Sequence, residues 1–113
     1  MEFIMAIAHA VSGQIIDVHL SADKLPEERT VALFKTDELE VMRLMVPAQK
    51  TVPSHHVKGD ITVQCLEGEV DFTANGQTQR MKAGQLLWLA GGVEHGLTAV
   101  MDASLLVTLI LRK

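Results

Sequence analysis

Tyrosine is absent from this sequence, and only Phe3, Phe34, Phe72 and Trp88 supply aromatic rings besides the imidazoles. Base stacking along a single strand, or an aromatic platform for sugars, therefore has little to work with. No cluster of Lys and Arg occurs, and the formal charge is -4. Binding to nucleic acid by phosphate neutralisation is excluded on those grounds. A single cysteine, Cys65, rules out an intramolecular disulfide. It sits in an apolar run and reads as a buried free thiol, which suits a reducing, cytoplasmic setting. No apolar run reaches the roughly eighteen residues that a membrane span needs. The N-terminal stretch Met1–Ala10 is apolar but opens with an acid and has no basic region, so it does not read as a signal peptide. Neither a phosphate-binding glycine loop nor a nucleophile elbow is present.

What is present is enough apolar material for one core: 48% of 113 residues. One domain spanning 1–113 is expected, with its barrel core at about 30–111. Phe3–Ala8 reads as a short helix or an arm, ended by Ser12-Gly13. Gln14–Leu20 reads as a strand, and Ser21–Arg29, with Pro26 and several charges, as a loop. Thr30–Lys35 and Leu39–Val46 read as strands; in the second, the apolar residues alternate with period two. Pro47–Pro53 breaks the pattern. Further strands are expected at Ile61–Leu66, Val70–Ala74, Gln77–Met81, Leu86–Ala90, His95–Met101 and Ser104–Leu111. Tight turns are expected at Glu67-Gly68-Glu69 and Asp102-Ala103. Asn75-Gly76 is the strongest hairpin signal in the chain. About ten short strands with no helical period after residue 13 predict an all-β sandwich or barrel.

The residues that speak about chemistry lie between Ser54 and His95. Ser54-His55-His56 stands before a Gly59-Asp60 corner, and His95 follows a Gly91-Gly92 corner. Each imidazole group sits beside a strand, so strand pairing can join them on one wall. His55, His56 and His95 are the candidate metal ligands. The bland reading of His55 and His56 is a polar loop, and that of His95 a corner residue bonded to backbone. His9 and His19 read as surface or packing residues. Asp17, Glu38, Glu40, Glu67 and Glu69 read as solvated charges. Met42, Met45, Met81 and Met101 read as core filler, and Trp88 as either a core or a barrel-mouth residue.

At this point the chain resembles a small cupin of the RmlC-like kind, a double-stranded β-helix or jelly-roll barrel. The second family motif is carried by Gly84, Gly92 and His95 at the required spacing, with Ala90 at the proline position and Ala99 in place of the terminal Asn. The first is degraded. Gly68 matches its last glycine, which puts Ile61 where the family's metal-binding Glu stands. Two registers remain for its His-x-His. In one, Ser54 replaces the first His and His56 matches the second. In the other, His55 matches the first and Val57 replaces the second. Asp60 is one place off and belongs to the opposite strand face.

The resemblance implies a divalent transition metal (Ni, Fe, Mn, Zn or Cu) held by imidazoles and a carboxylate, with an open position for substrate. The absence of Tyr disfavours the sugar-epimerase mechanism of that family. The function expected is a His-lined pocket for a divalent metal, a small organic ligand or both, enzymatic if the metal polarises substrate or activates dioxygen. The rival is a metal-free, non-catalytic binding or sensing module whose pocket is apolar, lined by Ile61, Val63 and Cys65. The partners expected are a small-molecule ligand and a second copy of the chain, met through Phe3–Ile7 or an edge strand.

Overall fold

The computed structural model describes residues 10–18 and 29–112. The expected N-terminal helix or arm, His9, His19 and most of the loop at 21–29 lie outside the described residues. Every regular element among them is a strand, and no helix among them is long and apolar enough to cross a membrane. The strands are β1 (Arg29–Lys35), β2 (Leu39–Val46), β3 (Thr51–His55), β4 (Ile61–Ala74), β5 (Gln77–Lys82), β6 (Leu86–Leu89) and β7 (His95–Ile110).

β4 and β7 form the spine. They pair antiparallel from Ile61 opposite Leu109 to Ala74 opposite His95. The second half of β7 is flanked by β2 and then β1, while the first half of β4 is flanked by β6. On the other half, β3 lies beside the start of β7, and β5 beside the end of β4. Each long strand thus serves two half-sheets, which close on one another as a jelly-roll barrel. All these pairs are antiparallel.

The alternating apolar residues make the core between the half-sheets. Val46, Ile61, Val63, Cys65, Val70, Phe72, Met81, Leu89, Leu97 and Leu105 are all buried there. Burying such a side chain contributes about 1.5–3 kcal/mol. Cys65 is a buried free thiol, as its apolar run suggested. Its Sγ donates to the Glu67 and Gly68 carbonyls, and burial pushes its pKa up.

Several expectations need correction. Gln14–Val18 forms no strand; the segment is held by the Ala10 amide, which donates to the Leu33 carbonyl, and by the turn at Ser12-Gly13. The tight turns expected at Glu67-Gly68-Glu69 and Asp102-Ala103 are bends inside continuous strands, so the described residues form seven strands where about ten are expected. The chain crosses from one half-sheet to the other there by register shifts between Cys65 and Val70, without reversing. Bulges of this kind bend a strand while keeping its neighbours paired. The Asn75-Gly76 hairpin is as expected: both residues have positive φ, 54° and 73°, and Ala74 pairs with Gln77. Positive φ at both central residues is what a type I′ turn requires.

Gly68 is where the bend is tightest. Its φ is +82°, and a Cβ would collide with the Asp102 backbone carbonyl. Gly68→Ala should therefore lower the unfolding free energy by about 1–3 kcal/mol. Gly76→Asn, in open space at a φ that Asn tolerates, should change it by less than about 0.5 kcal/mol. Urea denaturation of both variants checks the pair; equal midpoints would show that the bend does not need glycine.

Candidate functional site

Between Val52 and His55 the pairing of β3 with β7 slips. Thr51 faces Thr98 and Val52 faces Leu97, so a regular strand would put Ser54 opposite His95. Instead His55 is opposite His95. The extra residue falls at Pro53-Ser54. Pro has no N–H for the ladder, and a bulge is where a strand accommodates it. The slip inverts the side-chain phase, so His55, not Ser54, turns to the same interior as Val52. Glycine at 96 makes room for the bulge: a Cβ there would sit 2.9 Å from the Val52 carbonyl oxygen and 3.1 Å from the Ser54 nitrogen.

The two imidazoles meet with ring centroids 4.5 Å apart and planes inclined by 54°. Phe72 lies parallel to the His95 ring at 5.9 Å. Both histidines make the same local contact. His55 Nδ1 is 3.0 Å from the Pro53 carbonyl oxygen, and His95 Nδ1 is 2.9 Å from that of Val93. A carbonyl only accepts, so Nδ1 carries a proton in each ring, and in the neutral imidazole Nε2 then carries the lone pair.

These rings stand at the wall of a cavity of about 180 Å³ inside the barrel. Its remaining lining is apolar apart from Thr30 and includes Val52, Val57, Ile61, Phe72 and Leu105. His55 and Thr30 are the exposed members of the lining. His95 is buried, with 8% of its surface accessible. Desolvation pulls its pKa below the ordinary value; the Val93 carbonyl opposes this, and the neighbouring His55 and His56 add to it.

His56 is exposed and does not line the cavity. The structure therefore selects the register in which His55 holds the first histidine position and Val57 the second. Ile61, 4% accessible, lines the cavity where the family's Glu would stand. Asp60 points away: its carboxylate accepts from the Gly91 amide at 2.9 Å and the Trp88 indole at 3.4 Å. No group of three or more His, Cys, Asp or Glu among the described residues is arranged to hold a metal ion. Trp88 lies outside the barrel, 64% exposed, next to Leu86 on an open outer groove. Met45 and Met81 are core, Met42 lines the cavity, and Met101 is exposed, contrary to its expected role.

The sequence model of the Cupin domain family matches residues 41–111. The chain belongs to the cupin family. Its fold is similar to a conserved protein of unknown function from Streptococcus pyogenes (TM-score 0.76, 19% identity, 96% of this chain and 98% of that one). It is also similar to an RmlC-like cupin from Shewanella frigidimarina (TM-score 0.70, 18% identity, 84% and 92%). Salicylate 1,2-dioxygenase from Pseudoaminobacter salicylatoxidans is a third likeness (TM-score 0.67, 18% identity), where 74% of this chain matches 25% of that one. None of the curated proteins matches the sequence. At these identities the likeness shows the fold alone. Cupins often bind transition metals; in this cupin two imidazoles, His55 and His95, line the cavity.

The depressed pKa of His95 has a consequence for stability. The folded value lies below the unfolded one, so on acidification the unfolded chain binds a proton first. The contribution from neutral His95 is complete above about pH 6.5, the unfolded value, and is lost as the pH falls through the folded value. Between pH 7.5 and 5 the melting temperature should thus fall more steeply for the wild type than for His95→Phe. Parallel pH profiles for the two proteins would show that His95 is not desolvated in the fold.

Proposed function

We propose that this cupin is a metal-free binding module whose barrel takes one small organic molecule, with His55 and His95 as its polar contacts. The observation that carries this reading is the identity of the four side chains at the family's ligand positions: His55, Val57, Ile61 and His95, all on the cavity wall. Two of the four are aliphatic and can donate nothing to a cation. A divalent transition ion held by two imidazoles and solvent lacks the third protein ligand of open catalytic sites and the charge of a carboxylate. Apart from Thr30 the remaining lining is apolar, the composition of a small-molecule pocket, in which a few fixed polar groups orient the ligand.

The pocket also has its polar groups held in place. Each imidazole is held by a carbonyl two residues earlier in its own chain segment. Such outer contacts fix the ring orientation and tautomer, so Nε2 is available as an acceptor without reorganisation.

Rebuilding the missing ligands tests the reading. Val57→His with Ile61→Glu restores a three-histidine, one-carboxylate set on the same wall. Without metal, the buried Glu should cost about 1–3 kcal/mol and have a raised pKa. Ni²⁺, Mn²⁺ or Zn²⁺ should then raise the melting temperature of the double variant, since the ion binds only the folded state. The wild type should gain little, and wild-type protein purified without a histidine tag should carry less than stoichiometric metal. A wild type stabilised by metal as strongly as the variant would return the pocket to the metal-dependent class.

A further inference from the structure

We infer that the ligand of this pocket is an uncharged single-ring phenol, whose one hydroxyl proton is donated to an Nε2 lone pair of the His55–His95 pair. The inference rests on the metal-free pocket reading above and adds the class of molecule.

Size comes first. A cavity of about 180 Å³ is close to the roughly 150 Å³ apolar cavity that accepts a benzene ring in another protein. One six-membered ring with one or two small substituents fills it. The walls come second. Phe72 and the two imidazoles contribute three neighbouring rings to the lining, and Ile61, Leu105 and Val107 belong to the same wall. Aromatic rings pack against such walls by offset or edge contacts worth more than their buried area alone.

Polarity decides the substituent. Both Nδ1 atoms are spent as donors on the Pro53 and Val93 carbonyls, so the imidazoles present acceptors to the cavity. A matching ligand must donate. A carboxylate has no N–H to meet, and no Lys or Arg among the described lining residues offsets its charge. An ammonium would enter a described lining without a carboxylate, at a large desolvation cost. A neutral hydroxyl pairs with Nε2 and leaves no charge behind, and a phenol O–H is more acidic than an alkyl one.

Isothermal titration of the wild type and of His95→Phe and His55→Leu, each with phenol, toluene and benzoate, tests the assignment. In the wild type, phenol and toluene should both bind, and benzoate should bind more weakly than phenol. The ratio of phenol to toluene affinity should fall by about 3- to 10-fold in the variant that loses the accepting imidazole, the worth of one net hydrogen bond. Taking the ratio removes the part of the affinity that comes from the apolar walls. Toluene binding with an unchanged ratio in both variants would overturn the hydroxyl assignment and leave the pocket reading standing. Benzoate binding tighter than phenol in the wild type would overturn it as well, and needs no variant to fold. Failure of the wild type to bind either phenol or toluene at millimolar concentration would defeat the pocket reading itself, and this inference with it.

Discussion

β4 and β7 pair antiparallel from Ile61 against Leu109 to Ala74 against His95, and strands of 14 and 16 residues are too long to stay in one flat sheet. Twist accumulates along such a ladder, and a small barrel absorbs it by bending both strands at the same level. Here the level is Gly68 beside Asp102, where two backbones approach too closely for any Cβ. The short strands then have nowhere to go but the outer edges of the two halves. The site follows from this spine. His95 opens β7 at its end, opposite Ala74, and β3 is its other neighbour. A histidine on β3 therefore meets His95 only if the β3 phase is right, and the bulge at Pro53-Ser54 supplies that phase.

The two glycine corners lock this end of the barrel. A Cβ on Gly91 would collide with the Lys58 carbonyl, and one on Gly59 with the Ile110 carbonyl. Across the same contact the Gly92 amide donates to the Val57 carbonyl at 2.7 Å, and Asp60 caps the Gly91 amide. Val57 and Ile61, which flank the first corner, are thereby fixed against the wall that begins at His95. Gly59 and Gly91, like the motif glycine Gly68, have a packing task that involves no ligand, while the motif glycines Gly84 and Gly92 hold positive φ, +90° and +86°, in open space. That is why the barrel keeps its motif glycines while two of its ligand positions carry aliphatic side chains.

The local signals in the sequence were those that act within a few residues. Asn75-Gly76 set a type I′ turn by its own backbone, and Leu39–Val46 showed its strand through alternation. The spacing from Gly84 to His95 carried the family. The inward orientation of Ile61 and the outward orientation of Asp60 followed from the period of two once Gly68 anchored the register. What was hidden depended on partners far away in the chain. Gly68 and Asp102 read as turns because a bend and a reversal use the same residue types. The phase of His55 was set by a bulge against Gly96, on a strand far along the chain. Trp88 has the composition of a core residue, but its place on β6 opposite Thr62 faces it outward. Arg43 is the reverse: a charge in an alternating strand, yet only 6% exposed, with burial pulling its pKa down and Asp17 and Glu67 partly restoring it.

The exchange of a carboxylate for Ile61 also changes what the fold needs in order to stand. A Glu at a position 4% accessible, among Val63, Leu105 and Leu109, must be neutralised by a cation or a proton, or the barrel bears the cost of a buried charge. A pocket with that residue is stable chiefly when loaded. With isoleucine there, the same wall adds about 1.5–3 kcal/mol of apolar burial with no partner required. Among the described lining residues, His95 is the one polar side chain that is buried. Its donor is already bonded to Val93 and its ring is neutral at physiological pH. Such a barrel folds without its ligand and keeps its acceptors fixed in orientation, which suits reversible capture of a neutral molecule better than the holding of an ion.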